Sequence, residues 1–372
     1  MKKIFPLFLV LTLSFCKAPE VEQEKITYTH PIPFEPQSYL CYRAITPPTI
    51  DGKLLEESWE KAAWTNDFVD IRGSQVPDPP LRTRAKMLWD SSYFYIAAEL
   101  EEPHIWATLE ERDAIMYHDD DFEVFIDPDG DGHNYYEFEM NAYNAIWDLL
   151  MLRPYRTDTL PNYLMNWEIK GIKTAVSIQG TLNNPGDEDT GWLVELAFPW
   201  SALMELAPER RMPESGEQWR VNFSRVDWHM DIENGAYRKV LDASGEKPLP
   251  EENWVWSPTG YVNMHLPEAW GFVQFIGKEV GTGQDSFLMP ADEKIKWALW
   301  QMYYEQKEFR KKKGYWAYNI DVLGIPEVDI PDYVFNPVLV AGQGTFELSV
   351  NAIDGTYIWV LDSDSQIRKM KR

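Results

Sequence analysis

The chain has 372 residues, 44% of them hydrophobic, which is enough for one large β domain with a real core and a smaller second unit. Sixty acidic against 35 basic side chains leave a formal charge of −25, and a surface of that sign repels phosphate backbones, which argues against nucleic acid as a partner. The 26 Pro and 21 Gly divide it into short segments separated by turns, favouring strands over long helices.

The opening MKKIFPLFLVLTLSFC sets Lys2 and Lys3 before a short apolar run over residues 4–13, the shape of a secretory signal and too short for a membrane span. The segment LSFC resembles a bacterial lipobox in which Cys16 becomes the lipidated first residue, although Phe15 departs from the small residue usual before that Cys. The expectation is a signal peptide over residues 1–16 and an exported lipoprotein of the outer membrane or cell surface, otherwise a periplasmic or secreted protein, with membrane contact only through the anchor. Acylation of Cys16 leaves Cys41 without a partner; without it a bridge between the two remains formally open. Residues 17–38, polar and Pro-containing, read as a tether.

From residue 39 the chain becomes a series of short strands. LRTRAKMLWD, YFYIAAELEE, DDFEVFID, NYYEFEMNA, IKGIKTAVSI, GWLVELAFPW, EQWRVNFSRVDW and WGFVQFIG alternate or run apolar over a strand's length, with turn residues between them. Such a series implies a mainly β fold, an antiparallel β-sandwich or open barrel over residues 39–279. The chief exception is PWSALMELA, a short helix expected over residues 199–207 with an early Pro. Beyond residue 280 the character changes. DEKIKWALWQMYYEQKEFRKKKG starts acidic, ends basic and then Gly, and spaces Ile295, Leu299, Met302 and Tyr303 for one helical face. Asp354-Gly355 between two alternating runs predicts a hairpin, so residues 290–372 read as a small α+β appendage.

Within VFIDPDGDGHNYYEFEMNA, Asp127, Asp129, Asp131 and Gly132 match the first half of an EF-hand loop. The second half fails, because the position of the bidentate Glu is Phe138 and both flanks alternate as strands. Two readings stand: a hairpin turn, or a turn that also holds calcium through Asp127, Asp129 and Asp131. Glu123 lies on the opposite strand face from Phe122 and Val124, while Glu137 and Glu139 share one face. A carboxylate pair would suit glycoside hydrolysis, but acids are too abundant here for the pairing to identify an enzyme. The 17 Trp say more, since several stand beside polar residues, among them Trp106, Trp147, Trp228 and Trp254; flat rings stack on sugar faces while neighbouring polar groups bond the hydroxyls.

TPPTIDGKLLEESWEKAAWTNDF, AKMLWDSSYFYIAAELEEPHIWA, DDFEVFIDPDGDGHNYYEFEMNA, WLVELAFPWSAL, WRVNFSRVDW and WSPTGYVNMHLPEAWGFVQF, in that order, resemble the successive motifs of the family 9 carbohydrate-binding modules. The resemblance covers residues 39–275 and implies a DOMON-like β-sandwich that binds a sugar or plant-type polysaccharide fragment between aromatic side chains, carries structural calcium and is not a catalyst, an enzyme partner being unidentified. Carried onto this chain, it puts the sugar-bonding carboxylate at Glu123, the two clamp aromatics near Tyr117 and Met264, and the family's arginine at Glu139. Trp147 and Trp254 are further stacking candidates, and Asn141, Asn222 and Arg225 candidate donors. Two alternatives stay open. Haem-binding relatives of the same sandwich imply axial Met and His ligands, for which Met264-His265 with Met116 or His118 are candidates, and a scaffold with a degenerate slot is the other.

Overall fold

The computed structural model describes residues 25–157 and 159–372; the predicted signal segment and Cys16 lie outside the described residues. The sandwich grows from the hairpin around DPDGDG. In the strand Asp121–Asp127, alternation sends Phe122, Val124 and Ile126 to one face and Glu123, Phe125 and Asp127 to the other, and every residue of the strand is buried. It pairs antiparallel with Tyr135–Asn141, Glu123 directly opposite Glu139, and on its other edge with Gln218–Asp227, Glu123 opposite Ser224.

From that centre the sheet runs one way through Ile146–Met151 and the other through Gly271–Glu279, Ser38–Arg43, Thr83–Trp89, Tyr93–Glu101, Gly191–Pro199 and Lys173–Gln179. The pairings among these strands are antiparallel except that Ser38–Arg43 lies parallel to both of its neighbours. The path folds over on itself. Phe122, Val124 and Phe138 from one end share a single buried cluster with Met87, Ile96 and Leu196 from the other, so the structure is a β-sandwich. Burial of each such side chain stabilises by about 1.5–3 kcal/mol. A second apolar cluster, with Phe125, Tyr135, Trp147, Leu149 and Met264, covers the opposite face of the Asp121–Asp127 sheet.

The helix expected over residues 199–207 closes after one turn, Trp200–Leu203. The Tyr136 hydroxyl, directed at the carbonyls of Ala202 and Leu203 at 3.0 Å each, takes the place of the next helical turn.

The C-terminal unit has the helix Glu293–Lys313, which ends on a left-handed Gly314 (φ 83°) after four basic residues. Its buried Ile295, Leu299, Met302 and Tyr303 pack on Phe346, Leu348 and Leu361 of a four-stranded antiparallel sheet, Val338–Ala341, Phe346–Asn351, Tyr357–Asp362 and Ile367–Lys371. The predicted hairpin turn sits at Gly355, φ 68°.

This unit is seated firmly on the sandwich. Arg220 donates to Glu293 Oε2 at 2.6 Å, and Arg156, paired with Glu268 of its own unit, donates to the Tyr304 hydroxyl at 3.1 Å. The segment expected to be a free tether is, from residue 25 on, part of the same contact. Ile26 bridges to Leu323, Tyr28 stacks on Tyr304 at 4.8 Å, and Phe34 stacks on Trp297 at 4.5 Å. Apolar rings every few residues among the prolines give this stretch surface to bury, which its overall polarity concealed.

Candidate functional site

On the sheet face away from the sandwich core lies an open cavity of about 450 Å3. Its floor is the cross-strand row Trp147, Glu139, Glu123, with Glu137 and Phe125 in the next row, so strand register alone brings these five side chains to one place. Loops build the walls. Tyr117 comes from the short helical turn Met116–His118, Tyr155 from the connection after Ile146–Met151, and Met264 and His265 from the segment before Gly271–Glu279. Tyr117 and Tyr155 are 40% and 50% exposed, so both present ring surface to a ligand. Tyr155 is held edge-on against His265 at 4.5 Å, and the Tyr117 carbonyl is fixed by the Trp228 indole N–H at 2.9 Å.

The floor is electrostatically unusual. Burial pushes the Glu123 carboxyl up to about 7, and burial together with neighbouring carboxylates pushes Glu137, Glu139 and Asp121 well up. Carboxylate oxygens of Asp121, Glu123 and Glu139 lie within 4.8 Å of one another, all three residues being buried. Among the described residues, both Asp121 oxygens, Glu137 Oε2, Glu139 Oε2 and the Ser224 hydroxyl are buried without a hydrogen-bond partner. His265 is neutral at ordinary pH, since burial and then Arg156 push it down to about 3; its Nδ1 lies 2.8 Å from the Tyr135 hydroxyl.

Two other acidic groups of the described residues are organised differently. Glu102 and Asp227 share Arg225, at 2.5 and 2.7 Å, while Asp120 accepts the Trp228 amide at 2.7 Å. In the DPDGDG turn, Asp127 accepts the amides of Gly130 and Gly132 at 2.9 and 3.0 Å, and Asp129 that of Asp131 at 3.3 Å. Asp131 accepts from the His133 amide at 2.7 Å and from Gln366 Nε2 at 2.6 Å, while its carbonyl receives the Ile367 amide at 2.9 Å. This turn therefore also seats the last hairpin of the C-terminal unit. Burial and Asp131 push the Asp129 carboxyl up to about 6.

Of the residues singled out from the sequence, Tyr117, Glu123, Glu139, Trp147 and Met264 meet in the cavity. Four do not. Asn141 is spent on a loop, donating to the Leu109 carbonyl and Asp119 and accepting from the Tyr143 and Ala145 amides. Asn222 exchanges two bonds with the Ser257 backbone, Arg225 is consumed by Glu102, Asp227 and the Glu101 carbonyl, and Trp254 is buried under the Arg225 guanidinium. In each case the polarity serves burial, because a buried donor must find a partner in the protein. Trp106 lines a separate cleft with Lys239, whose ammonium also lies 3.2 Å from the centre of the Trp228 ring.

Sequence reasoning missed Tyr155, His265 as a wall residue, Asp121 and the open role of Glu137. Alternation already placed Glu137 beside Glu139, whereas Tyr155 sits in a loop whose course only packing determines. The residues weighed for haem do not suit an apolar macrocycle. Met116 and Met264 are packed in the apolar cluster, His118 is exposed, and the space beside His265 is bordered by Glu123, Glu137, Glu139 and Glu251.

Residues 50–216 match the family model described as carbohydrate family 9 binding domain-like. Over 158 residues, 42% of the chain, it is 28% identical to exoglucanase XynX of Acetivibrio thermocellus, and over 101 residues, 27% of the chain, 32% identical to endo-1,4-beta-xylanase C of Paenibacillus barcinonensis. The matches span only 12% and 8% of those proteins. Similar solved structures include a putative carbohydrate-binding protein from Bacteroides uniformis, 17% identical with a TM-score of 0.46 over 65% of this chain and 100% of that one. Another is a family 9 module from Caldicellulosiruptor kristjanssonii in complex with cellotriose, 15% identical with a TM-score of 0.41 over 67% of this chain and 99% of that one.

Proposed function

We propose that this family 9 sandwich is a non-catalytic carbohydrate-binding protein that holds a sugar or short oligosaccharide in the cavity bounded by Tyr117, Trp147 and Tyr155. The observation that carries the reading is two half-exposed tyrosines and a tryptophan around a carboxylate floor on a domain that matches this family model. Ring faces cover the apolar C–H surface of a sugar, and carboxylates accept from its hydroxyls. The openness of the cavity suits part of a longer chain, and the relatives named for xylan and glucan breakdown favour a plant-type polysaccharide fragment.

Calcium at Asp127, Asp129 and Asp131 belongs to this proposal with a structural role. The mutual proximity of the three carboxylates supports it, and a cation there rigidifies the turn that carries the C-terminal unit. Export with lipidation at Cys16 is proposed on the lysine pair, the apolar run and the lipobox-like LSFC; replacing Cys16 by Ala should abolish incorporation of a labelled fatty acid in the producing cell.

The sugar reading is tested by affinity electrophoresis of the chain in gels containing xylan, β-glucan or an unrelated polymer. Retardation by one of the first two, lost in Tyr117→Ala, is the expected result, and equal mobility in all gels overturns it.

A further inference from the structure

The floor of the cavity holds more negative charge than its surroundings answer. Asp121, Glu123 and Glu139 are 0%, 6% and 3% exposed, so water cannot solvate them as it would surface acids. The two sister groups show how this chain otherwise handles buried carboxylates: one encloses the Arg225 guanidinium, the other folds backbone amides onto its oxygens. On the cavity floor no guanidinium stands among the three carboxylates of the described residues, and the Tyr117 and Met116 amides ease Glu139 while its Oε2 stays without a partner. Both Asp121 oxygens lack a donor among the described residues, and the Val226 amide eases that carboxyl without forming a hydrogen bond. A second, independent sign is Ser224. Its hydroxyl, fully buried and without a hydrogen bond of full geometry, lies directly across the strand pair from Glu123 on the same face and eases that carboxyl, which adds a neutral oxygen to the three carboxylates.

We propose that Asp121, Glu123 and Glu139 bind a divalent cation, calcium by its oxygen preference, at the floor of the cavity, and that hydroxyls of the sugar complete its coordination. Calcium takes six to eight oxygen ligands at about 2.3–2.6 Å and tolerates irregular geometry, which three clustered carboxylates with a serine hydroxyl can begin but not complete. Asp121 lies behind the floor while Glu123 and Glu139 line the cavity, so the open positions of the cation face the tyrosines. The cation would neutralise the floor and present two adjacent sites to a vicinal diol. This deepens the carbohydrate reading and rests on it for the sugar half alone; the cation half stands on the protein.

The test is calcium titration by calorimetry into the whole chain after removal of metals with EDTA, at neutral pH, with Asp129→Asn present throughout to silence the DPDGDG turn. In that background uptake of one calcium is expected, weakened tenfold or more by Glu139→Gln and by Asp121→Asn. Both are near-isosteric and remove charge from a self-repelling group, so both should fold, and a raised thermal midpoint in EDTA is their expected mark. No uptake by the folded parent, or equal uptake in both variants, overturns the site. Gel retardation by polysaccharide with calcium and with EDTA then tests the ligand half: loss in EDTA supports coordination of the hydroxyls, and equal retardation in both overturns it. Calcium uptake with no retardation by any polymer upholds the cation site and sinks the sugar reading, so the two failures are distinguishable.

Discussion

The cavity floor and the DPDGDG turn stand on one sheet face, Glu123 and Asp127 four residues apart along a single strand, and both cluster three carboxylates. In the turn, the chain curls so that its own amides, and Gln366 from the C-terminal unit, meet the oxygens. On the floor the residues belong to straight paired strands, where the amides are already committed to the sheet ladder and cannot turn toward side chains. The same residue type therefore closes a turn in one place and leaves an unmet demand for positive charge in the other. Counting acids does not separate these two situations; accounting for donors does.

The largest expected effect lies on the turn side, where the C-terminal unit is held by the buried Arg220 and Glu293. Arg220→Met leaves the buried Glu293 with Lys296 as its one cationic partner among the described residues and the Trp270 carbonyl without its donor, and should cost about 3–5 kcal/mol in urea unfolding; a loss below 1 kcal/mol would mean that this pair is not what seats the unit. Next comes pH on the floor. The Glu123 carboxyl is raised from 4.5 to about 7 on folding, so the folded state favours its protonated form: the stabilisation is complete below pH 4.5 and lost as pH rises through 7. In EDTA the protein should lose about 3 kcal/mol over that window, and calcium at pH 8 should return much of it; a midpoint indifferent to both would remove the floor from the comparison.

Smaller again, Tyr117→Ala and Tyr155→Ala should each weaken retardation by the bound polysaccharide by the equivalent of about 1–3 kcal/mol, with unfolding unchanged. The smallest is Gln366→Ala, which takes one donor from Asp131 and should cost about 1 kcal/mol of stability without touching sugar affinity. An effect on affinity there would show that the turn and the floor communicate.

Much of this was legible in the chain. Alternation in DDFEVFID set Glu123 on the face opposite Phe122 and Val124, alternation in NYYEFEMNA put Glu137 and Glu139 on one face, and the charge gradient with a closing Gly marked the helix Glu293–Lys313. The donors Asn141, Asn222 and Arg225 were misread because residue type tells what a side chain can bond, not which partner burial will assign to it. Tyr155 went unseen because a loop carries no periodicity.

By itself the sequence determined the periodic features: the strands, their two faces, the two hairpin turns and the long amphipathic helix, since these follow from local geometry repeating every two or 3.6 residues. Only the tertiary structure decided which acids share a space, which of them receive a donor and which loop lends its aromatic to the cavity. Those depend on contacts between segments far apart in the chain, such as Asp121 with Glu139 or Asp131 with Gln366, where register and packing, not residue identity, set the outcome.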